Sequence, residues 1–166
     1  AKMLENADLV IWIGEDLEAF LEKPLETIAK KAKNIEVMDL NGIKKLAFRE
    51  KNIFDDHKEH DDHEGHAHGE HDPHIWLDPM NAKVIIKEIT KQLIKLDSAN
   101  SSIYKSNSKK ALAEIDKLIK DIKNDLNKDL RFVVFHDAYQ YFENRFGIQV
   151  LGALTVNTDV MPGAEQ

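Results

Sequence analysis

Leu9-Val10-Ile11-Trp12-Ile13-Gly14 is the stretch on which the fold turns. Five apolar residues in a row, β-branched at Val10, Ile11 and Ile13 and closed by a glycine, read as a short strand buried on both faces, as in a parallel sheet. Ahead of it, AKMLENAD reads as the tail of a helix, so the chain is expected to be a fragment or a processed product. Behind it, Leu17, Phe20, Leu21, Leu25 and Ile28 recur every three or four residues, predicting a helix capped by Asp16 and kinked or restarted at Pro24. Ile35, Val37 and Met38 then predict a second strand, closed by Asp39 to Gly42. Strand, helix and strand make a βαβ unit. Gly14 and Glu15 stand where α/β proteins expose ligand groups, though the plainer reading of Glu15 is a solvated acid of the first helical turn.

The pattern resumes at Ile75-Trp76-Leu77. Asp78 suits an N-cap and Pro79 the first helical position, so a helix should run from Pro79 to about Leu96. Asp97 to Ser102 signals a turn, and a second helix, with neither Gly nor Pro, should continue to about Leu126. At roughly 1.5 Å per residue it approaches the diameter of a small domain and suits a stiff strut between two lobes. Leu130 to Phe135 (LRFVVF) predicts another buried strand, delivering His136 and Asp137 at its C-terminal end. Asp137 and Gln140 make a possible capping box for a helix stopped by Gly147, with a last strand after it over Ile148 to Leu154. The fold class is α/β.

Between the halves lies the chemistry. Asp55 to His74, DDHKEHDDHEGHAHGEHDPH, holds His57, His60, His63, His66, His68, His71 and His74, leaving only His136 of the eight histidines outside it. Its eight acids against the single cation Lys58 account for the chain's whole net charge of −7. Neutral imidazole and carboxylate suit borderline divalent ions, zinc above all. A run this polar should be a mobile loop without metal. An affinity tag would sit at a terminus rather than in the interior. His74 is the one member held against a folded edge, and His136 sits where a strand hands over to a helix.

Composition narrows the classes. With 42% hydrophobic residues the chain can build a core. No apolar run approaches the roughly 18 residues that span a bilayer. The absence of cysteine removes disulfides, thiolate zinc sites and cysteine nucleophiles. Charge outside the tract is balanced, so no basic patch for nucleic acid exists.

HIWLDP at 74–79, two helices, then RFVVFHDAYQYFENRFGIQVLGALTVN at 131–157, with an acidic histidine-rich loop upstream, resembles the ZnuA-type zinc-binding proteins of bacterial ABC transporters. NADLVIWIGEDLEAFLEKPL at 6–25 looks like that family's first-lobe strand and helix. The resemblance implies two α/β lobes with parallel sheets joined by a long rigid helix, both incomplete here. Residues 1–97 would be the later part of the first lobe, with loop 55–73, residues 98–128 the linking helix, and 129–166 the start of the second lobe. A metal would lie in the cleft, held by three histidines and a carboxylate or water. His74 matches the second histidine and His136 the third, while the first would precede Ala1 and the carboxylate lie after Gln166. Manganese-selective relatives place glutamate at the position of His136, so imidazole there argues for zinc.

By the same resemblance the activity would be extracytoplasmic zinc capture for a membrane permease, with zinc as transported ion and not as catalytic cofactor. His57, His60, His63, His66, His68 and His71 would serve as low-affinity collectors or as a sensor. Two other classes stand beside it. A zinc hydrolase would need Asp137 or Glu143 as general base, but no compact His-Glu-x-x-His motif is present. An adhesin or a metal buffer without a permease would share the same ligands. A chain lacking parts of both lobes should also leave apolar faces uncovered and invite association between copies.

Overall fold

The computed structural model describes residues 1–49 and 71–155. A short helix α1 (Lys2–Glu5) leads into β1 (Leu9–Trp12), then α2 (Glu15–Glu18), a 3-10 turn (Ala19–Leu21), α3 (Glu22–Thr27) and β2 (Lys33–Glu36). β1 and β2 pair in parallel, Ile11 opposite Ile35, which completes the expected βαβ unit. Two details differ from the sequence reading. Asp16 does not cap; the helix starts from Gly14, without a side-chain cap. The expected break falls ahead of Pro24, at Ala19–Leu21, with α3 restarting at Glu22, because Pro24 has no N–H to offer the Phe20 carbonyl. The intervening turn throws Phe20 out to 74% exposure, while Leu25 packs with Trp12 and Ala29.

Gly14 is required by its backbone. It has φ 147° and ψ 179°, and a Cβ there would lie 2.7 Å from Glu36 Oε1. Only glycine adopts that conformation at low cost.

Beyond a 3-10 turn at Ile75–Leu77 comes α4 (Pro79–Leu96), with the boundaries the sequence predicts. Asp78 caps it, accepting the Met80 N–H at 2.9 Å. α5 (Ser101–Asp125) folds back along α4, tied by an ion pair from Lys83 to Asp116 at 2.6 Å. Its apolar stripe is only partly covered, with Ile103 54% and Leu118 50% exposed. A helix of 25 residues is about 37 Å long.

β3 (Val133–His136), α6 (Gln140–Phe146) and β4 (Gly152–Thr155) form the second unit, with β3 and β4 again parallel. Both strands are shorter than expected. Val133 and Phe135 stand open on one face, 51% and 60% exposed. The described residues are thus α/β: two small parallel sheets connected through two long helices. No helix among the described residues is long and apolar enough to cross a membrane.

What joins the two units is a small core in which Val37 and Met38, just after β2, meet Ile75 and the α6 residue Tyr141. Polar clamps surround it. Asn81, buried, accepts the Lys44 N–H at 2.8 Å and donates to the Lys44 and Ile75 carbonyls at 3.0 and 3.1 Å. Arg145 on α6 grips Asp78 with two hydrogen bonds of 2.7 and 2.6 Å. One buried carboxylate therefore starts α4 and fastens α6 to it.

Candidate metal centre

His74 and His136 come from opposite halves of the chain and meet. Their Nε2 atoms are 3.4 Å apart, with ring centroids at 5.3 Å and planes inclined by 51°. Two zinc–nitrogen bonds of about 2.0–2.1 Å at a tetrahedral angle separate their nitrogens by about 3.3–3.4 Å, the same spacing. A direct hydrogen bond between the imidazoles is the alternative use of this geometry, and it needs a proton on one Nε2.

His74 is set by the chain around it. Its N–H donates to Asp72 Oδ1 at 2.9 Å, its Nδ1 lies 2.7 Å from the same oxygen, and its ring stacks obliquely on Trp76 at 5.4 Å. His136 is the last residue of β3, paired with Thr155. Burial, and then the neighbouring His74, push its imidazole below the ordinary value, with Asp137 and Asp72 opposing.

The sign of that shift makes a prediction. At pH below the ordinary imidazole pKa of about 6.5 the unfolded chain binds more protons at this position than the folded one, so stability rises with pH there and falls on acidification. In a histidine-selective NMR titration of the metal-free chain, His136 should titrate below about 6.5. A midpoint at or above that value would contradict the burial seen here.

Asp137 is not the helix cap that its spacing to Gln140 predicts. α6 begins from Tyr139 without a side-chain cap. The Asp137 N–H instead donates to the Thr155 carbonyl at 3.1 Å, and its carboxylate faces Arg49. Arg49 Nε is 3.2 Å from Asp137 Oδ2, close enough for an ion pair but too poorly angled for a hydrogen bond. Burial pushes the Asp137 carboxyl up, with Arg49 opposing. The other arm of Arg49 meets Glu143 Oε1 at 2.5 Å, and Glu143 Oε2 accepts the Val150 N–H at 3.0 Å. The two acids considered as hydrolytic bases are thus both engaged with one guanidinium.

Arg49, Asp72 and Gln140 are neighbours of the site whose contacts sequence reasoning missed. Asp72 counts there only as one more acid of the tract, although its spacing of two residues from His74 is a readable signal. Arg49 has none, because its partners lie far away in the sequence. Glu15 stays in the first turn of α2, as the plainer reading holds. His71 is described, bridging to Ala47 in antiparallel fashion. His57, His60, His63, His66 and His68 lie outside the described residues. Among the described residues, no group of three His, Cys, Asp or Glu could hold a metal ion.

Comparison with known proteins identifies the family and the fold. The family model described as zinc-uptake complex component A, periplasmic (ZnuA), matches residues 1–166. The high-affinity zinc uptake system protein ZnuA of Brucella abortus (strain 2308) is 38% identical, over 99% of this chain and 57% of its own length. Its counterpart in Yersinia pestis is 36% identical, over 98% of this chain and 55% of its own. The chain therefore spans little more than half the length of these relatives. A crystal structure of ZnuA superposes with a TM-score of 0.73 at 25% identity, over 98% of this chain and 56% of that one. The periplasmic zinc-binding protein TroA from Treponema pallidum, 21% identical, shares the fold with a TM-score of 0.74, over 99% of this chain and 55% of that one.

Proposed function

The chain belongs to the ZnuA family of periplasmic zinc-uptake components, and from that membership we propose that it captures zinc outside the cytoplasmic membrane for an ABC importer. In this reading His74 and His136 are two ligands of the transported ion, residues 1–97 and 129–166 belong to two lobes, and 98–128 link them. The observation that carries it is the 3.4 Å approach of two Nε2 atoms from different halves of the chain. Two imidazoles at that spacing supply the nitrogen-rich set that zinc favours over harder ions.

The histidine tract acts as an auxiliary collector. Support comes from the residues at its two ends. Arg49 is held by Asp137 and Glu143, beside His136, while the Asp72 N–H donates to the Leu46 carbonyl at 2.9 Å, two residues before His74. Both ends of the tract are thus tethered near the pair, and tethering raises the effective concentration of an ion that the tract gives up.

Calorimetric zinc titration of the chain, and of a variant lacking residues 55–70, tests this division of labour. The full chain should show one site tighter than several others, the shortened chain that site alone. Equal stoichiometry in both would remove the collector role, and a shortened chain that binds no zinc would remove His74 and His136 as ligands. Co-purification with an ABC permease separates an importer component from an adhesin or a free-standing metal buffer.

A further inference from the structure

Asp72 is the most heavily engaged buried acid beside the two histidines. It is 1% exposed, and it touches both halves of the molecule. Its Oδ1 accepts the His74 N–H at 2.9 Å and lies 2.7 Å from His74 Nδ1. Its Oδ2 accepts Gln140 Nε2 at 3.1 Å. Its backbone is held as well, the N–H donating to Leu46 and the carbonyl accepting the Tyr141 hydroxyl at 2.7 Å. That hydroxyl accepts the Leu46 N–H at 2.9 Å, and burial pushes its pKa up to about 12, so it remains a donor.

An ionised carboxylate only accepts hydrogen bonds, so the short contact to Nδ1 puts a proton on that nitrogen. Neutral imidazole has one N–H, which leaves the lone pair on Nε2, the atom that faces His136. With both oxygens and both backbone groups engaged, the carboxylate has no freedom to swing away. We infer that Asp72 is a positioning residue: it holds His74 as the Nδ1–H tautomer with Nε2 presented to the ion, and Gln140 ties that setting to the helix that comes after His136. Gln140 also donates to the Ala47 carbonyl at 3.1 Å, so one amide spans the chain on both sides of the histidine tract. The inference rests on reading His74 and His136 as ligands, although the tautomer itself is a property of the metal-free chain.

Nitrogen-15 correlation NMR of the chain without metal reads that tautomer directly. His74 should show a protonated Nδ1 and an unprotonated Nε2 near neutral pH. In Asp72→Asn, whose amide preserves shape, the tautomer should become mixed, and the tightest zinc affinity, read by chelator competition, should fall about 10–100-fold. Proton on Nε2 in the unmutated chain would overturn the inference, whether or not the variant folds. So would an Asp72→Asn chain that keeps both tautomer and affinity. A merely structural Asp72 would lower thermal stability in that variant and leave the tautomer alone. Loss of the ligand reading shows separately, as zinc affinity unchanged by His136→Ala with the His74 tautomer still set.

Discussion

Replacing His136 with alanine is expected to remove the tightest zinc binding this chain shows, while the tract between residues 55 and 71 should go on binding zinc weakly. Structural zinc sites with four ligands are worth about 10–16 kcal/mol in apparent free energy, so each ligand carries roughly 2.5–4 kcal/mol and its loss costs about 10²- to 10³-fold in Kd. His74→Ala should match it. The double variant should lose little beyond either single one, because two ligands of one ion do not contribute independently. Competition with a chromophoric zinc chelator measures the tight site apart from the weak ones, and Trp76, whose ring lies 5.4 Å from that of His74, offers a fluorescence signal from the same place. Exchange of His136 for glutamate differs in kind: a ligand remains, but an oxygen one, and preference should move from zinc toward manganese. If His136→Ala keeps the tightest affinity unchanged, the ion sits on the tract alone, and the meeting of the two imidazoles is a hydrogen bond.

Much of the arrangement behind that expectation is written locally. Asp78-Pro79 carries its own start signal, and α4 begins there because the cap and the fixed proline φ act within one turn. The apolar runs at Leu9 and Leu130 predict strands, and the second delivers His136 at its C-terminal end as expected. Where the reading fails, a distant residue or a missing donor decides. Asp137 has the spacing of a capping residue but is drawn to Arg49, which reaches it from beside the histidine tract, and no local pattern encodes that choice. Phe20 fits the helical stripe until Pro24 breaks the hydrogen bond its carbonyl would have made. Asp72 is hidden by composition: in a run of acids, the one that folds inward looks like the others until Leu46, Gln140 and Tyr141 are seen around it. The two histidines themselves are legible, but their distance is not, since it depends on how one core is shared between two units.

That shared core makes Ile75 the position where the smallest change should cost the most stability. Ile75 is 0% exposed and packs with Val37 and Met38 of the first unit and Tyr141 of the second. Truncation to alanine leaves a cavity that the clamps around it resist filling, because Asn81 holds the Ile75 carbonyl and Arg145 holds the neighbouring Asp78. An isoleucine-to-alanine change in such a site costs about 2–5 kcal/mol. For a chain of 166 residues that is a fall of roughly 5–15 °C in Tm. Ile75→Val should cost about 0.5–1.5 kcal/mol, and alanine at Leu96, 49% exposed, less than about 0.5 kcal/mol. Because His74 is the adjacent residue, the damage should be coupled to the ion. Zinc stabilises the folded form by mass action, so a given concentration should raise Tm less in Ile75→Ala than in the unmutated chain if the loosened turn also weakens binding. Thermal unfolding by circular dichroism, with and without zinc, reads both effects. An Ile75→Ala chain melting within about 2 °C of the unmutated one would mean the two units are held together by the polar clamps alone, and the side chain between them would be filling space without joining them.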